Sequence, residues 1–194
     1  MSVRKFIILG LVLLLLFANI TLVGCGGSNM NLKITSFNFS ELIESGNLND
    51  ITLTIYYKDL FVRTRTPVSL EMLIGGWYDN TGQLISGLYN HRVVITGEDL
   101  VKHYDLLNQI INAELMPVEN ETFVNARLYY VFEHMEHGEM FSFLAFGGGD
   151  TMFVNGLEVE YNGIFFEAVL PFLPNDAVET IERYLTAMGQ GSEQ

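Results

Sequence analysis

The sequence predicts an α+β fold, an antiparallel β-meander covered on one face by one or two helices. Three observations carry this reading. Ile51-Thr52-Leu53-Thr54-Ile55-Tyr56-Tyr57 alternates with the period of a half-buried strand. Four further β-rich runs crowd into residues 124–161, and Asn155-Gly156 joins the last two with the residue types that a type I′ turn needs, because both positions take positive φ. Two other stretches, 97–112 and 175–188, repeat apolar residues at helical spacing.

Each element has its own local reason. Residues 32–39 are rich in β-formers, and 40–46 have the composition of one capped helical turn. Ile51, Leu53, Ile55 and Tyr57 fall on one strand face, expected to be the buried one. Residues 92–95 form a short apolar strand. Thr96-Gly97-Glu98-Asp99 then supplies a capping residue and two acids in the first turn, where the helix dipole favours negative charge. Leu100, Tyr104, Leu107 and Ile111 form the expected buried stripe of one continuous helix, with Lys102 placed to pair with Glu98.

After Pro117 strands return at 124–133, 140–146, 151–154 and 157–161. Tyr129 and Tyr130 are consecutive on a strand and must point to opposite faces. Leu157, Val159 and Tyr161 are expected inside, with Glu158 and Glu160 in water. The apolar run 164–173 fits strand and helix equally. Asn175 is expected to cap a last helix in which Ala177, Ile181, Tyr184, Leu185 and Met188 share a face.

Composition narrows the function classes. Only Arg4 and Lys5 are charged in the first 24 residues, so 8 basic residues face 23 acidic ones in the remaining 170. Phosphate backbones are bound by clustered Lys and Arg, so no nucleic-acid partner is expected. With 49% apolar residues the chain is a poor candidate for disorder, and its length fits one domain.

The first 24 residues read as an export signal: Arg4 and Lys5, an apolar run from Phe6 through Phe17, then Leu22-Val23-Gly24 before Cys25. The stretch from Phe6 to Gly24 would reach roughly 28 Å as a helix, so an uncleaved anchor is possible on length, though no charge flanks its far end. Leu22-Val23-Gly24-Cys25 resembles the lipobox of bacterial lipoproteins, in register with the apolar run. The resemblance implies a diacylglyceryl group on the Cys25 thiol, cleavage after Gly24, and Cys25 as the mature N-terminus. Two acyl chains or more hold a protein firmly at a membrane where one does not. Cys25 is the only cysteine, so disulfides and a cysteine nucleophile elsewhere are excluded. Beyond residue 25 the chain resembles only small uncharacterised exported lipoproteins, which implies no activity. The expected organisation is a signal at 1–24, a lipidated Cys and flexible tether at 25–31, one domain at 32–188 and a disordered tail at 189–194. The implied location is the outer face of the bacterial cytoplasmic membrane.

Catalytic motifs are missing: there is no Gly-x-Ser-x-Gly, Ser-x-x-Lys, His-Glu-x-x-His, phosphate loop or calcium loop. Gly147-Gly148-Gly149-Asp150 joins two predicted strands and reads as a hairpin loop. Glu133-His134-Met135-Glu136-His137-Gly138-Glu139 offers imidazole and carboxylate ligands, of which His134, Glu136, His137 and Glu139 are the metal candidates. Its place between two strands makes a solvated hairpin tip the better reading, so no metal or other cofactor is expected. His103 is expected as a partly buried or flanking residue of the helix. Trp77-Tyr78 precedes the polar loop Asp79-Asn80-Thr81-Gly82 and could present a stacking surface, although core packing is the commoner fate of such rings. The functional expectation is a membrane-anchored, non-enzymatic ligand-binding or accessory lipoprotein that recognises a protein, a peptide or a wall polymer. The alternative is an extracytoplasmic metal-binding protein or enzyme built on 133–139.

Overall fold

The computed structural model describes residues 47–118, 125–147 and 150–191. The export signal, Cys25, the tether, and the expected strand and turn at 32–46 lie outside the described residues, as do Gly148 and Gly149. Among the described residues the elements run in this order: β1 (Ile51–Tyr57), α1 (Leu70–Ile74), β2 (Gly75–Tyr78), β3 (Leu84–Ser86), β4 (His91–Thr96), α2 (Gly97–Val101), α3 (Tyr104–Ile111), β5 (Ala126–His134), β6 (Gly138–Phe146), β7 (Thr151–Val154), β8 (Leu157–Glu160), α4 (Ile164–Glu167) and α5 (Asn175–Gly191).

The fold is α+β. Six antiparallel strands lie in the order β4-β1-β5-β6-β7-β8, so the second half of the sheet is a simple meander, and β2 and β3 form a separate two-stranded ribbon. Asn155 and Gly156 have φ of 50° and 76° between β7 and β8, the positive pair their sequence predicts.

One sheet face carries the main core. Ile51, Leu53, Ile55 and Tyr57 of β1 meet Leu128, Tyr130 and Phe132 of β5 and Phe141 and Phe143 of β6, all buried. The run 164–173 resolves as helical: α4 and a 3₁₀ turn, Leu170–Phe172, drop Phe165 and Phe166 onto the sheet. Phe143 lies 5.4 Å from Phe165 and 4.8 Å from Tyr130, ring centroid to centroid, and the Tyr130 hydroxyl donates to the Phe165 carbonyl at 3.1 Å. Stacked rings add to the area that they bury. Ala177, Ile181 and Tyr184 of α5 complete this layer, with Leu185 and Met188 partly buried against it.

The opposite face is covered as well. Tyr129 and Val131, alternating with Tyr130, join Leu144, Phe146, Val68 and Leu73 in a smaller cluster under α1. Tyr129 is thus the ring held beneath a connecting segment.

Four local expectations are corrected. The helix expected over 97–112 is broken: His103 takes φ −117°, ψ 23°, and its N–H bonds to Leu100 three residues back, ending α2 before α3 begins. The break re-aims the second segment, so that Leu100, Leu107 and Ile110 are buried while Tyr104 and Ile111 are only partly covered. Lys102 pairs with Asp99, not Glu98. On β8, Val159 is buried as expected, but Leu157 is exposed and Glu158 is buried. Residues 116–118 account for part of this by running along the outer edge of β8, where Val118 donates to the Glu158 carbonyl at 3.2 Å and Glu160 to Met116 at 2.8 Å. The Thr151 hydroxyl donates to the Glu158 carboxylate at 2.8 Å, which gives the buried acid a partner. Finally, Asn175 is the first residue of α5; the Pro174 carbonyl takes the N–H groups of Ala177 and Val178.

Candidate functional site

β5 is apolar from Ala126 to Phe132 except for one residue, Arg127. Ala126 pairs with Phe146 and Leu128 with Ala145, so Arg127 is the extra residue of a β-bulge. A bulge frees its extra residue from the strict alternation of a strand and re-aims the side chain. The segment from Lys58 to Val68 then arches over it. Lys58 N–H donates to the Arg127 carbonyl at 2.7 Å, and Ala126 N–H to the Val68 carbonyl at 2.8 Å, so the arch is fastened to β5 on both sides of the arginine. The Asn125 side chain takes the Val68 N–H at 3.2 Å. Within the arch, the Asp59 carboxylate accepts the Phe61 N–H at 2.8 Å, a local turn that lifts Phe61 outward.

Between the arch, the bulge and α5 lies an open cleft of about 600 Å³. Its walls are Leu60, Phe61, Val62, Pro67 and Tyr184, and its polar groups come from Arg63, Arg65, Arg127 and Asn125. Arg63 and Arg65 are exposed at the rim, whereas Arg127 is 1% exposed. Its Nη2 donates to the Val62 carbonyl at 2.9 Å and approaches the Thr64 hydroxyl at 3.3 Å. Among the described residues Nε is buried without a hydrogen-bond partner, and the guanidinium makes no ion pair. Burial holds Arg127 below the ordinary arginine value, opposed in part by the field of Asp59. Lys58 is lowered too, by burial first and by the Arg127 charge second. Phe61 is braced from outside by the Arg183 guanidinium, 4.3 Å from its ring centroid.

A second, smaller hollow of about 290 Å³ is lined by Tyr57, Asp59, Asn90, His91, Asp176 and Thr180. His91 Nε2 lies 2.8 Å from the Asp176 carboxylate, which that hydrogen bond holds below its usual range. The His91 ring stacks on Tyr57 at 6.1 Å, and burial pushes the Tyr57 phenol up to about 12. This group ties the edge strand β4 to the start of α5.

The metal candidates sit where the hairpin reading places them, at the β5–β6 turn. Glu136, His137 and Glu139 are exposed and His134 is partly exposed. The two imidazoles stack at 4.6 Å, and His134 Nδ1 accepts the Glu136 N–H at 3.1 Å. Among the described residues no three His, Cys, Asp or Glu side chains converge as a metal site would require. His103 packs edge-on to Phe172 at 4.9 Å, a partly buried flank of the core. Trp77 and Tyr78 do not enter the core: they lie on the β2–β3 ribbon, 43% and 69% exposed. As neighbours on one strand they face opposite ways and do not build one stacking platform. The loop after them is ordered by Asp79, whose carboxylate accepts from Thr81 N–H, the Thr81 hydroxyl and Gln83 N–H.

The Arg127 cleft was not among the candidates from sequence. Its signal was present as a lone guanidinium in an apolar strand run, and as Arg63 and Arg65 two residues apart in an acidic chain. What was hidden is the arch that joins them, because Arg127 meets Val62 across 65 positions of sequence.

Fold and cleft together define the chain as an α+β domain with an arginine-floored cleft beside a sheet bulge. No family model matches the chain, and no curated protein or solved structure matches it either.

Proposed function

We propose that the chain is an exported, lipid-anchored, non-enzymatic ligand-binding protein, held by Cys25 at the outer face of the bacterial cytoplasmic membrane. The observation that carries the ligand-binding half is the cleft at Arg127. Its volume falls in the range of small-molecule sites, roughly 300–1,000 Å³, and it combines apolar walls with a few convergent donors. Arginine stays protonated at neutral pH, so these groups suit recognition better than proton transfer. The Leu22-Val23-Gly24-Cys25 block after an apolar run supports the address. Among the described residues no helix is long and apolar enough to cross a membrane.

The address is tested by Cys25→Ser in the full chain, alongside an inhibitor of lipoprotein signal processing. Either treatment is expected to change the mass of the mature protein, and Cys25→Ser to release it from the membrane fraction. An unchanged mass and unchanged partitioning of Cys25→Ser would make an uncleaved anchor the better reading.

A further inference from the structure

We infer that the Arg127 cleft binds a small organic monocarboxylate, with the carboxylate at the guanidinium and an apolar portion against Leu60, Phe61, Pro67 and Tyr184. This rests on the cleft being the ligand site and goes further by naming the ligand chemistry. Two observations converge on it.

The first is the state of the arginine. A charge removed from water is costly unless it is paired and its donors are satisfied. Arg127 is 1% exposed, makes no ion pair among the described residues and leaves Nε–H without an acceptor. An anion entering the cleft supplies both the missing charge and the missing acceptor. Arginine is the side chain whose planar donors best match a carboxylate.

The second is where the positive charge sits. The chain carries a formal charge of −13, so its long-range field repels anions. Arg63, Arg65 and Arg127 all line this one cleft. Screening over about 8 Å at physiological salt confines the surrounding repulsion and lets the local arginines decide. The number of charges favours a carboxylate over a phosphate. Among the described residues that line the cleft only one cation is buried, which matches a monoanion, whereas a phosphate dianion would need a second buried cation, and Arg63 and Arg65 are exposed.

The test is calorimetric titration of the full chain, in a neutral-headgroup detergent, with 3-phenylpropionate, its neutral amide and phenyl phosphate. The acid is expected to bind one to one, at least tenfold tighter than the amide or the phosphate, and to lose tenfold or more in Arg127→Met. Because Arg127 also holds Val62, that variant could misfold. The exposed double variant Arg63→Ser with Arg65→Ser serves as the second arm, expected to weaken acid binding threefold or more while leaving the amide unchanged.

Acid and amide binding equally, with both weakened by Phe61→Ala, would overturn the carboxylate inference and leave the cleft as the ligand site. Phenyl phosphate binding most tightly would overturn it in favour of phosphate. No binding by any probe, or binding that ignores Arg127, Arg63, Arg65 and Phe61 alike, would remove the inference and the cleft reading together.

Discussion

His134 commits Nδ1 to the backbone of its own turn, accepting the Glu136 N–H at 3.1 Å, so its neutral form carries the proton on Nε2 in this geometry. Its ring lies over His137 at 4.6 Å with the planes only 25° apart. Nearly parallel imidazoles direct their in-plane lone pairs side by side, whereas a metal needs them to converge. Adding zinc, copper, nickel or manganese is therefore expected to leave thermal stability unchanged. His134→Ala combined with His137→Ala should alter stability by no more than about 0.5 kcal/mol, as for an exposed turn. Stoichiometric micromolar binding that the double substitution abolishes would restore the metal reading. The contrast with Arg127 shows what a sequence displays at this scale. Clustered His and Glu are conspicuous in the chain, yet they occupy a wet hairpin tip. Arg127 is a single letter in an apolar strand, and its importance depends on the arch from Lys58 to Val68 that covers it.

Elements with local causes were legible, and those with distant causes were not. β1 alternates because one face meets the core, and the β7–β8 turn follows from Asn155-Gly156 alone. The broken helix was hidden because helical spacing persists through His103, while the break depends on how two short segments reach one core. The β8 faces were misassigned because burial of Glu158 involves residues 116–118 and the Thr151 hydroxyl, neither of which alternation can show. The turn provides a clean test at this scale. Gly156 sits at φ 76°, and a Cβ there would meet nothing within 4 Å, so substitution disturbs conformation without a clash. Gly156→Ala should cost about 1–2 kcal/mol, the strain of a left-handed non-glycine residue. Chemical denaturation checks this, with the slope on denaturant unchanged because the same surface is exposed on unfolding. A loss below about 0.3 kcal/mol would mean that the turn relaxes to another type.

The packing of both sheet faces makes the whole molecule sensitive to alkali. Burial pushes Tyr57 and Tyr129 up to about 12, with Glu139 and Glu133 adding to the shift at Tyr129, and it raises Tyr161 and Tyr184 as well. Tyr130, fully buried between Phe143 and the Phe165 carbonyl, is held well above its ordinary value. In the unfolded chain these phenols lose their protons near pH 10. Above that pH the folded state holds more protons than the unfolded one, so stability falls as pH rises. The stability linked to each phenol is fully present below pH 10 and is lost as pH climbs through the folded value, with a slope of about 1.4 kcal/mol per pH unit per tyrosine. Several such groups titrating together would exhaust an ordinary domain stability of about 5–15 kcal/mol within a few pH units, and the carboxylate excess adds self-repulsion. The phenolate absorbance contributed by these five tyrosines is therefore expected to rise together with the loss of far-ultraviolet circular dichroism, in one cooperative alkaline transition above pH 10. Tyr57→Phe should move that transition to higher pH by removing one ionising group. Ionisation of all nine tyrosines with a midpoint near pH 10, while the dichroism remains native, would show that the buried rings are solvated and that the two-faced core is looser than its packing.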